Sequence, residues 1–218
     1  MRILDPMVRL VDFPPTNTAY HRIAKAARTC TKSSSENKGL VDDTELILKC
    51  IERGHESVLE HVSVTAHIIC DRGVSHELVR HRLAGFSQES TRWCNYGQYR
   101  FGGFNRELTF IKPATMYKGT TEYFMWKRLM ENIEDYYMEY MRMSVSPQSA
   151  RSILPNSLKT ELYMTANLRE WRHILKVRTA KDAHPDMRAV MKSLLFRMSL
   201  FYEHVFLDIN EKLWENGA

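Results

Sequence analysis

The sequence lacks the features of membrane, secreted and multidomain proteins. It has no apolar run long enough to cross a bilayer, and residues 1–13 alternate instead of forming a charged-then-apolar leader. No linker rich in proline, glycine and serine divides the 218 residues. We therefore expect a single domain over residues 1–218 in a soluble, cytoplasmic protein with no membrane partner.

Cysteine is scarce, and the glycine-rich dinucleotide loop GxGxxG is missing. The four cysteines, Cys30, Cys50, Cys70 and Cys94, form no CxxC pair, which favours reduced thiols over a disulfide framework or a zinc knuckle. Without GxGxxG, any dinucleotide must be held by side chains and not by a Rossmann turn. The 31 basic and 26 acidic residues are interleaved, which suits a small anionic ligand better than a polynucleotide.

The periodicity of apolar residues predicts an α+β fold, with a mixed or antiparallel sheet flanked by helices. Predicted strands cover residues 2–13, 62–70, 108–111 and 158–164. Predicted helices cover residues 16–30, 42–53, 75–80, 121–143, 147–154, 167–178 and 184–204.

Several residues are predicted to begin, end or bury these helices. Ser75 and Asn167 are candidate N-caps, and Gly54 is a candidate C-terminal residue of left-handed conformation. The long helix 121–143 carries an apolar stripe that indicates core or a subunit interface. The residues of this stripe are Phe124, Leu129, Ile133, Tyr137 and Met141.

The most informative segment is RHRLAGFSQESTRW, residues 80–93. It gathers Arg80, Arg82 and Arg92 with hydroxyl, carboxamide and carboxylate groups, a composition that suits an anionic, planar ligand. If residues 80–82 are extended, Arg80 and Arg82 share one face and His81 takes the other. The alternative is a solvated basic loop, since surface arginines are common.

A second segment, GHESVLEH at residues 54–61, begins like the zinc motif HExxH. That motif needs two histidines four residues apart on one helical face, whereas His55 and His61 are six apart. We therefore predict no metal site. A capped turn before the following strand is the structural alternative.

Arg80-His81-Arg82, seven residues and then Ser90 resembles the RHR-x7-S signature of flavin-dependent thymidylate synthases. GHESVLEH, Arg151 before Leu154-Pro155, and NLREWRHILKVR at 167–178 match the same family in the same order. The resemblance implies a methyltransferase that converts dUMP to dTMP in dTMP biosynthesis. It implies 5,10-methylenetetrahydrofolate as carbon donor, FAD as hydride carrier and NADPH as reductant. It also implies a homotetramer whose active sites are shared between subunits.

The resemblance also implies a role for individual residues. Flavin contacts are expected from Ser57, Arg80, His81, Arg82, Gln88, Asn167, Leu168, Arg169 and His173. Contacts to dUMP are expected from Glu77, Arg80, Gln88, Glu89, Ser90, Thr91, Arg92, Arg151 and Arg178. His55, Glu60 and Trp93 are expected at the folate pocket, and Arg178 is expected to polarise the pyrimidine as the catalytic residue.

Some positions depart from the fuller family pattern, RHR-x-x-S-x-N-E-x-S-x-R. Gly85, Ser87 and Gln88 replace Ser, Asn and Glu, so either Gln88 or Glu89 could contact the flavin. Ser90 has no local His-Asp pair to activate it, so we assign it to binding. Arg178 could instead only complement a helix dipole. A nucleotide- or RNA-binding module without catalysis is the alternative of a different class.

Overall fold

The computed structural model describes residues 1–33 and 39–215. The strands are β1 Arg2–Leu4, β2 Met7–Asp12, β3 Ser63–Asp71, β4 Gly85–Gln88, β5 Thr109–Ile111 and β6 Lys159–Asn167. The α-helices are α1 Thr16–Thr31, α2 Leu40–Glu52, α3 Arg72–Leu78, α4 Tyr99–Gly102, α5 Thr121–Arg142, α6 Pro147–Ala150, α7 Leu168–Arg178 and α8 Pro185–Glu215. Two 3₁₀ helices cover Glu56–His61 and Arg151–Ile153.

The predicted α+β class is confirmed. The strands form a four-stranded sheet of order β2-β3-β6-β4 and a parallel pair, β1-β5. Strands β3 and β6 are antiparallel: Leu168 N–H donates to the Val62 carbonyl, and the hydroxyls of Thr65 and Thr165 are hydrogen-bonded. Residue numbers therefore fall along β6 as they rise along β3.

The described residues pack into two compact units. The first comprises residues 1–7, 68–80 and 87–162, and the second comprises the described residues of 8–67, 81–86 and 163–218. The boundary divides the signature, because Arg80 belongs to the first unit and His81 to the second. No described helix is both long and apolar enough to cross a membrane.

In the first unit, α5 covers a core that includes Tyr96, Leu108, Phe110 and Leu158. The stripe predicted on this helix as core or subunit interface is not core at its start, since Phe124 is 60% exposed and Leu129 is 55% exposed. For these two residues the subunit-interface alternative stays a prediction. Buried positions are Tyr123, Trp126, Met130 and Tyr137. These follow helical steps of three, four and seven residues, whereas the step of five from Phe124 to Leu129 turns the helix away from one face.

In the second unit, α1, α2, α7 and α8 surround an apolar interior. Gly54 adopts the predicted left-handed conformation (φ 72°) just after α2, and its N–H donates to the Ile51 carbonyl. Helix α8 runs to Glu215, beyond the predicted end at residue 204, and bends at Tyr202, whose backbone is non-helical. The Tyr202 hydroxyl donates to the Pro14 carbonyl, which ties the bend to the chain before α1.

Two further predictions need correction. The strand expected over 2–13 is two strands separated by Asp5-Pro6, because proline has no N–H for a sheet ladder. Ser75 does not cap α3. Asp71 is the N-cap, its carboxylate accepting from Val74 N–H, and Ser75 lies inside the helix with its hydroxyl donating to the Arg72 carbonyl.

Candidate active site

The signature is a turn followed by a strand, not the extended segment considered above. Helix α3 ends at Leu78, residues 79–84 form turns, and β4 covers Gly85–Gln88, a strand that the sequence analysis missed. Arg80 and Arg82 are exposed whereas His81 is buried. The two arginines thus differ in burial from the histidine between them, although the backbone here forms a turn and not an extended segment.

In the first unit, the side chain of Gln88 is fixed by two buried hydroxyls. Its Nε2 donates to Ser75 Oγ at 2.9 Å and to Thr160 Oγ1 at 3.2 Å. Ser75 Oγ already donates its own proton to the Arg72 carbonyl, so at this contact it can only accept. The amide of Gln88 is therefore oriented, with its nitrogen toward Ser75 and Thr160 and its oxygen on the other side of the amide.

The neighbouring carboxylate, Glu89, is held by two other residues. One oxygen accepts from the Tyr96 hydroxyl at 2.7 Å, and the other contacts Lys159 Nζ at 2.8 Å. Burial raises the pKa of Tyr96, and the Glu89 charge raises it further. Glu89 therefore anchors the start of the segment Ser90–Trp93. Its backbone N–H donates to the Glu161 carbonyl on β6.

The segment Ser90–Trp93 presents mostly exposed side chains. Ser90 and Arg92 are exposed, Trp93 is 80% exposed, and Thr91 is buried. The Ser90 carbonyl accepts from the backbone N–H groups of Trp93 and Cys94, which closes the turn. Two further predicted contacts to dUMP in this unit are Arg151, exposed in the second 3₁₀ helix, and Glu77 in the last turn of α3.

Cys94 has the wrong electrostatic surroundings for a thiolate. Burial raises its pKa, and the negative charge of Glu89 raises it again, against weaker opposing effects of a backbone hydrogen bond at Ser90 and of the charges of Lys159 and Arg100. Because the thiolate and not the thiol is the nucleophile, Cys94 is suppressed for attack near neutral pH.

In the second unit, GHESVLEH forms a 3₁₀ helix over Glu56–His61. Its predicted ligand contacts His55, Ser57 and Glu60 are exposed. Glu60 pairs with Arg169 of α7, so two residues assigned to folate and flavin meet each other. Both side chains of this pair are about half exposed, so solvent screens the attraction between them.

Helix α7 begins as predicted. Asn167 is the N-cap, and its side-chain oxygen accepts from Glu170 N–H at 2.9 Å. Leu168 is buried, so its side chain contributes packing, whereas Arg169 and His173 are exposed. The cap therefore places Arg169 and His173 on an accessible face of the helix.

Arg178, at the end of α7, is hydrogen-bonded to the signature. Its Nε lies 3.0 Å from His81 Nε2, and the ring of His81 is 6.0 Å from that of His173. Burial lowers the pKa of His81 to about 4, with contributions from the charges of Arg178 and His173. His81 Nδ1 lies 3.7 Å from Glu170 Oε1. We describe this pair as a neutral imidazole beside a carboxylate and not as a salt bridge, because Arg178 can only donate to Nε2.

The sequence analysis missed a buried ionic cluster that holds α7 in place. Arg172 is 1% exposed and contacts Asp208 of α8 at 2.7 Å and Glu56 of the first 3₁₀ helix at 3.0 Å. Burial would raise the pKa of Glu56, but hydrogen bonding and charge from Arg172 outweigh it and lower that pKa. The partners are far apart in sequence, so no local pattern could have revealed them. Among residues 1–33 and 39–215, no group of three or more His, Cys, Asp or Glu could hold a metal ion.

Comparison with known proteins places these features in a family. A family model described as "Thymidylate synthase complementing protein" matches residues 9–200. A flavin-dependent thymidylate synthase of Thermococcus onnurineus is 36% identical over 155 residues, which are 70% of this chain and 61% of the relative. One from Geobacter sulfurreducens is 33% identical over 79% of this chain and 74% of the relative. The chain spans about three fifths of the length of the first curated relatives it matches.

Solved structures share the fold. A UMP/dUMP methylase, PolB, from Streptomyces cacaoi, bound with 5-Br dUMP, matches with a TM-score of 0.76 at 22% identity over 95% of this chain and 97% of that chain. A Helicobacter pylori thymidylate synthase solved with FAD and dUMP matches with a TM-score of 0.73 at 24% identity. That match covers 93% of this chain and 98% of that chain.

Proposed function

The chain belongs to the family of thymidylate synthase complementing proteins, and from this premise we propose that it is a flavin-dependent thymidylate synthase. It converts dUMP to dTMP with 5,10-methylenetetrahydrofolate as carbon donor, FAD as hydride carrier and NADPH as reductant. The observation that carries the proposal is the RHR-x7-S signature at Arg80–Ser90 inside a family match over residues 9–200.

The first unit supplies the groups for the nucleotide. Arg80, Arg92 and Arg151 are exposed guanidinium groups, which suit the phosphate of dUMP and the polar edge of its base. Ser90 and Thr91 add a hydroxyl and backbone donors, and Glu77 adds an acceptor. We place the phosphate at Arg92 and the Ser90–Thr91 backbone.

Gln88 and Glu89 can now be given different tasks. Glu89 is bound to Tyr96 and Lys159, so we propose that it holds the segment Ser90–Trp93 in place more than it binds a ligand. Gln88 keeps its amide oxygen for a ligand, because its nitrogen is committed to Ser75 and Thr160. We therefore propose Gln88 as the ligand contact of the two.

The second unit supplies the groups for FAD. This set of donors fits a flavin dinucleotide that is bound without a glycine-rich loop. Guanidinium groups of Arg82 and Arg169 suit the pyrophosphate, and imidazole and amide groups suit the edge of the flavin ring. The proposed contacts from this unit are Ser57, His81, Arg82, Asn167, Leu168, Arg169 and His173, and Arg80 of the first unit is proposed as a further contact. The exposure of Arg82, Arg169 and His173 supports this assignment.

The methylene carbon supplied by the folate must gain two electrons to become a methyl group. FAD, when bound, would carry these two electrons from NADPH as a hydride. The protein contributes binding, orientation and charge. Arg178 stabilises negative charge on the uracil ring as the reaction proceeds, in the manner of an oxyanion-hole donor. His55, Glu60 and Trp93 are proposed to receive the folate, with the exposed indole of Trp93 available for stacking.

We further propose that the protein is a homotetramer with shared active sites. Flavin contacts drawn from several separate segments suit a cofactor held by more than one subunit. Exposed apolar side chains of α5, including Phe124, Met125 and Leu129, supply surface for such contacts. Sedimentation at micromolar concentration should give a tetramer, and an active, flavin-loaded monomer would contradict this part of the proposal.

The main experiment is to purify the protein, record its absorbance spectrum, and assay dTMP formation with all co-substrates. We expect a yellow protein whose flavin spectrum changes when dUMP is added. Leaving out the folate should abolish product. A colourless protein that binds polynucleotide with a steep salt dependence would instead support the nucleic-acid-binding alternative.

A further inference from the structure

His81 lies between two residues of the same helix. Its Nε2 is 3.0 Å from Arg178 Nε, and its Nδ1 is 3.7 Å from Glu170 Oε1. Glu170 and Arg178 are eight residues apart on α7, which corresponds to about 12 Å along the axis at 1.5 Å per residue. The imidazole ring, entering from the turn after α3, fills part of that gap.

The hydrogen bond to Arg178 shows which tautomer of His81 is present. A guanidinium has only donors, so His81 Nε2 must accept, and the ring proton must be on Nδ1. That proton faces the carboxylate of Glu170. The contact of 3.7 Å is longer than a direct hydrogen bond, so it acts as an electrostatic preference for a proton on Nδ1.

Glu170 is itself fixed. It is 7% exposed, and its backbone N–H is bound by the Asn167 cap. It lies in the first turn of α7, where the helix dipole favours a negative charge. Its carboxylate therefore faces His81 from a fixed place on the helix. The charged or titratable groups known to face His81 from α7 are Glu170, His173 and Arg178.

We propose that Glu170 is a positioning residue: it keeps the His81 proton on Nδ1, so that His81 Nε2 accepts from Arg178 Nε and fixes the plane of the guanidinium. This inference rests on the proposed function, in which Arg178 polarises the pyrimidine. Glu170 belongs neither to the signature nor to the proposed ligand contacts, because its effect passes through His81. The expected consequence of removing its charge is a misoriented Arg178 and not a lost ligand contact.

The first test measures the tautomer directly. Nitrogen-15 NMR of histidine-labelled, FAD-loaded protein at pH 7.5 distinguishes protonated from unprotonated ring nitrogens, and the signal missing from His81→Gln identifies His81. We expect Nδ1 protonated and Nε2 unprotonated in the wild type, and a detectable population of the other tautomer in Glu170→Gln. A wild-type ring protonated on Nε2 would overturn the proposal, whether or not the variant folds.

The second test is a double-mutant cycle between Glu170→Gln and Arg178→Ala, measured as kcat/KM for dUMP. We expect a loss on the order of tenfold from Glu170→Gln alone, as is usual for groups coupled within one network. In the Arg178→Ala background, the same change should cost less than about twofold, because Glu170 acts through Arg178. Equal losses in both backgrounds would assign Glu170 a merely structural role.

Glu211→Gln, an exposed carboxylate on α8, is the matched control and should leave kcat/KM unchanged. If the wild type makes no dTMP, the proposed function and the catalytic role of Arg178 fail, but the inference that Glu170 keeps the His81 proton on Nδ1 does not fail with them. The tautomer of His81 still decides that inference, since it requires neither turnover nor dUMP.

Discussion

The amide nitrogen of Gln88 donates to Ser75 Oγ at 2.9 Å, and Ser75 Oγ donates in turn to the Arg72 carbonyl. These two hydrogen bonds can run in one direction only. Ser75 already gives its proton to the Arg72 carbonyl, so Gln88 must be the donor to Ser75 Oγ. The second acceptor, Thr160 Oγ1, is buried as well. A residue without N–H groups at this position therefore disturbs a network that the solvent cannot repair.

We predict that Gln88→Glu lowers the free energy of unfolding by about 1–3 kcal/mol at pH 7.5, the cost of leaving buried polar groups poorly satisfied. The deficit relative to wild type should shrink as pH falls and the new carboxyl group becomes protonated. Urea unfolding at pH 7.5 and pH 5 measures both effects. Ser87→Ala, at the exposed neighbouring position on β4, should change stability by less than about 0.5 kcal/mol. Equal stability of Gln88→Glu and wild type at pH 7.5 would rule out the oriented amide.

Cys94→Ala should leave dTMP formation within about threefold of wild type, because burial and the Glu89 charge raise the pKa of the thiol and disfavour a thiolate. Ser90→Ala is the comparison within the same turn. It should weaken dUMP binding about tenfold, the value of one hydrogen bond to a charged group, while FAD stays bound. Loss of all activity in Cys94→Ala with FAD and dUMP still bound would require a nucleophilic cysteine.

Local features of the chain were predictable from the sequence. Asn167 caps α7 because an Asn side chain can accept from the N–H three residues on, and Gly54 follows α2 because glycine tolerates positive φ. The alternation over 62–70 likewise gave β3, which covers Ser63–Asp71. In each case, the cause lies within a few residues of the position that it explains.

The site itself depended on contacts between distant segments. Arg178 meets His81 across 97 positions, and Gln88 meets Thr160 across 72. The prediction of the N-cap of α3 was wrong for a related reason. Ser and Asp are both good N-cap residues, and only the folded backbone selects Asp71 over Ser75. Motif resemblance proposed the residues, but only the folded chain shows which of them hold one another.

The third prediction concerns pH. The pKa of His81 is lowered from 6.5 to about 4 in the folded protein, so the unfolded chain binds this proton more readily. His81 therefore contributes no loss of stability above about pH 6.5, and stability falls as pH drops from there to about 4. At 1.36 kcal/mol per pH unit, the upper limit of this effect is about 3 kcal/mol.

Urea midpoints measured between pH 4.5 and 7.5 should show this fall in the wild type and a clearly smaller one in His81→Gln. The glutamine cannot titrate, yet it can still accept from Arg178. Glu56 and Asp208 have lowered pKa values, so their contribution is lost only below their usual range near pH 4. Parallel curves for the two proteins over the whole range would contradict a buried, neutral His81.

The fourth prediction concerns Arg178, for which the catalytic and structural explanations differ most. If it only complements the dipole of α7, Arg178→Ala should cost about 0.3–1 kcal/mol of stability and leave turnover unchanged. If it stabilises charge on the pyrimidine, the rate of dTMP formation at saturating dUMP should fall by about 10²–10³, with weaker dUMP binding. We expect the second outcome, with FAD retained.

Lys176→Ala, in the same last turn of the helix, is the control for the dipole and should keep its turnover. The pKa of His81 should also rise in Arg178→Ala, since the guanidinium charge helps to lower it. A folded, yellow Arg178→Ala protein with wild-type turnover would remove Arg178 from the mechanism.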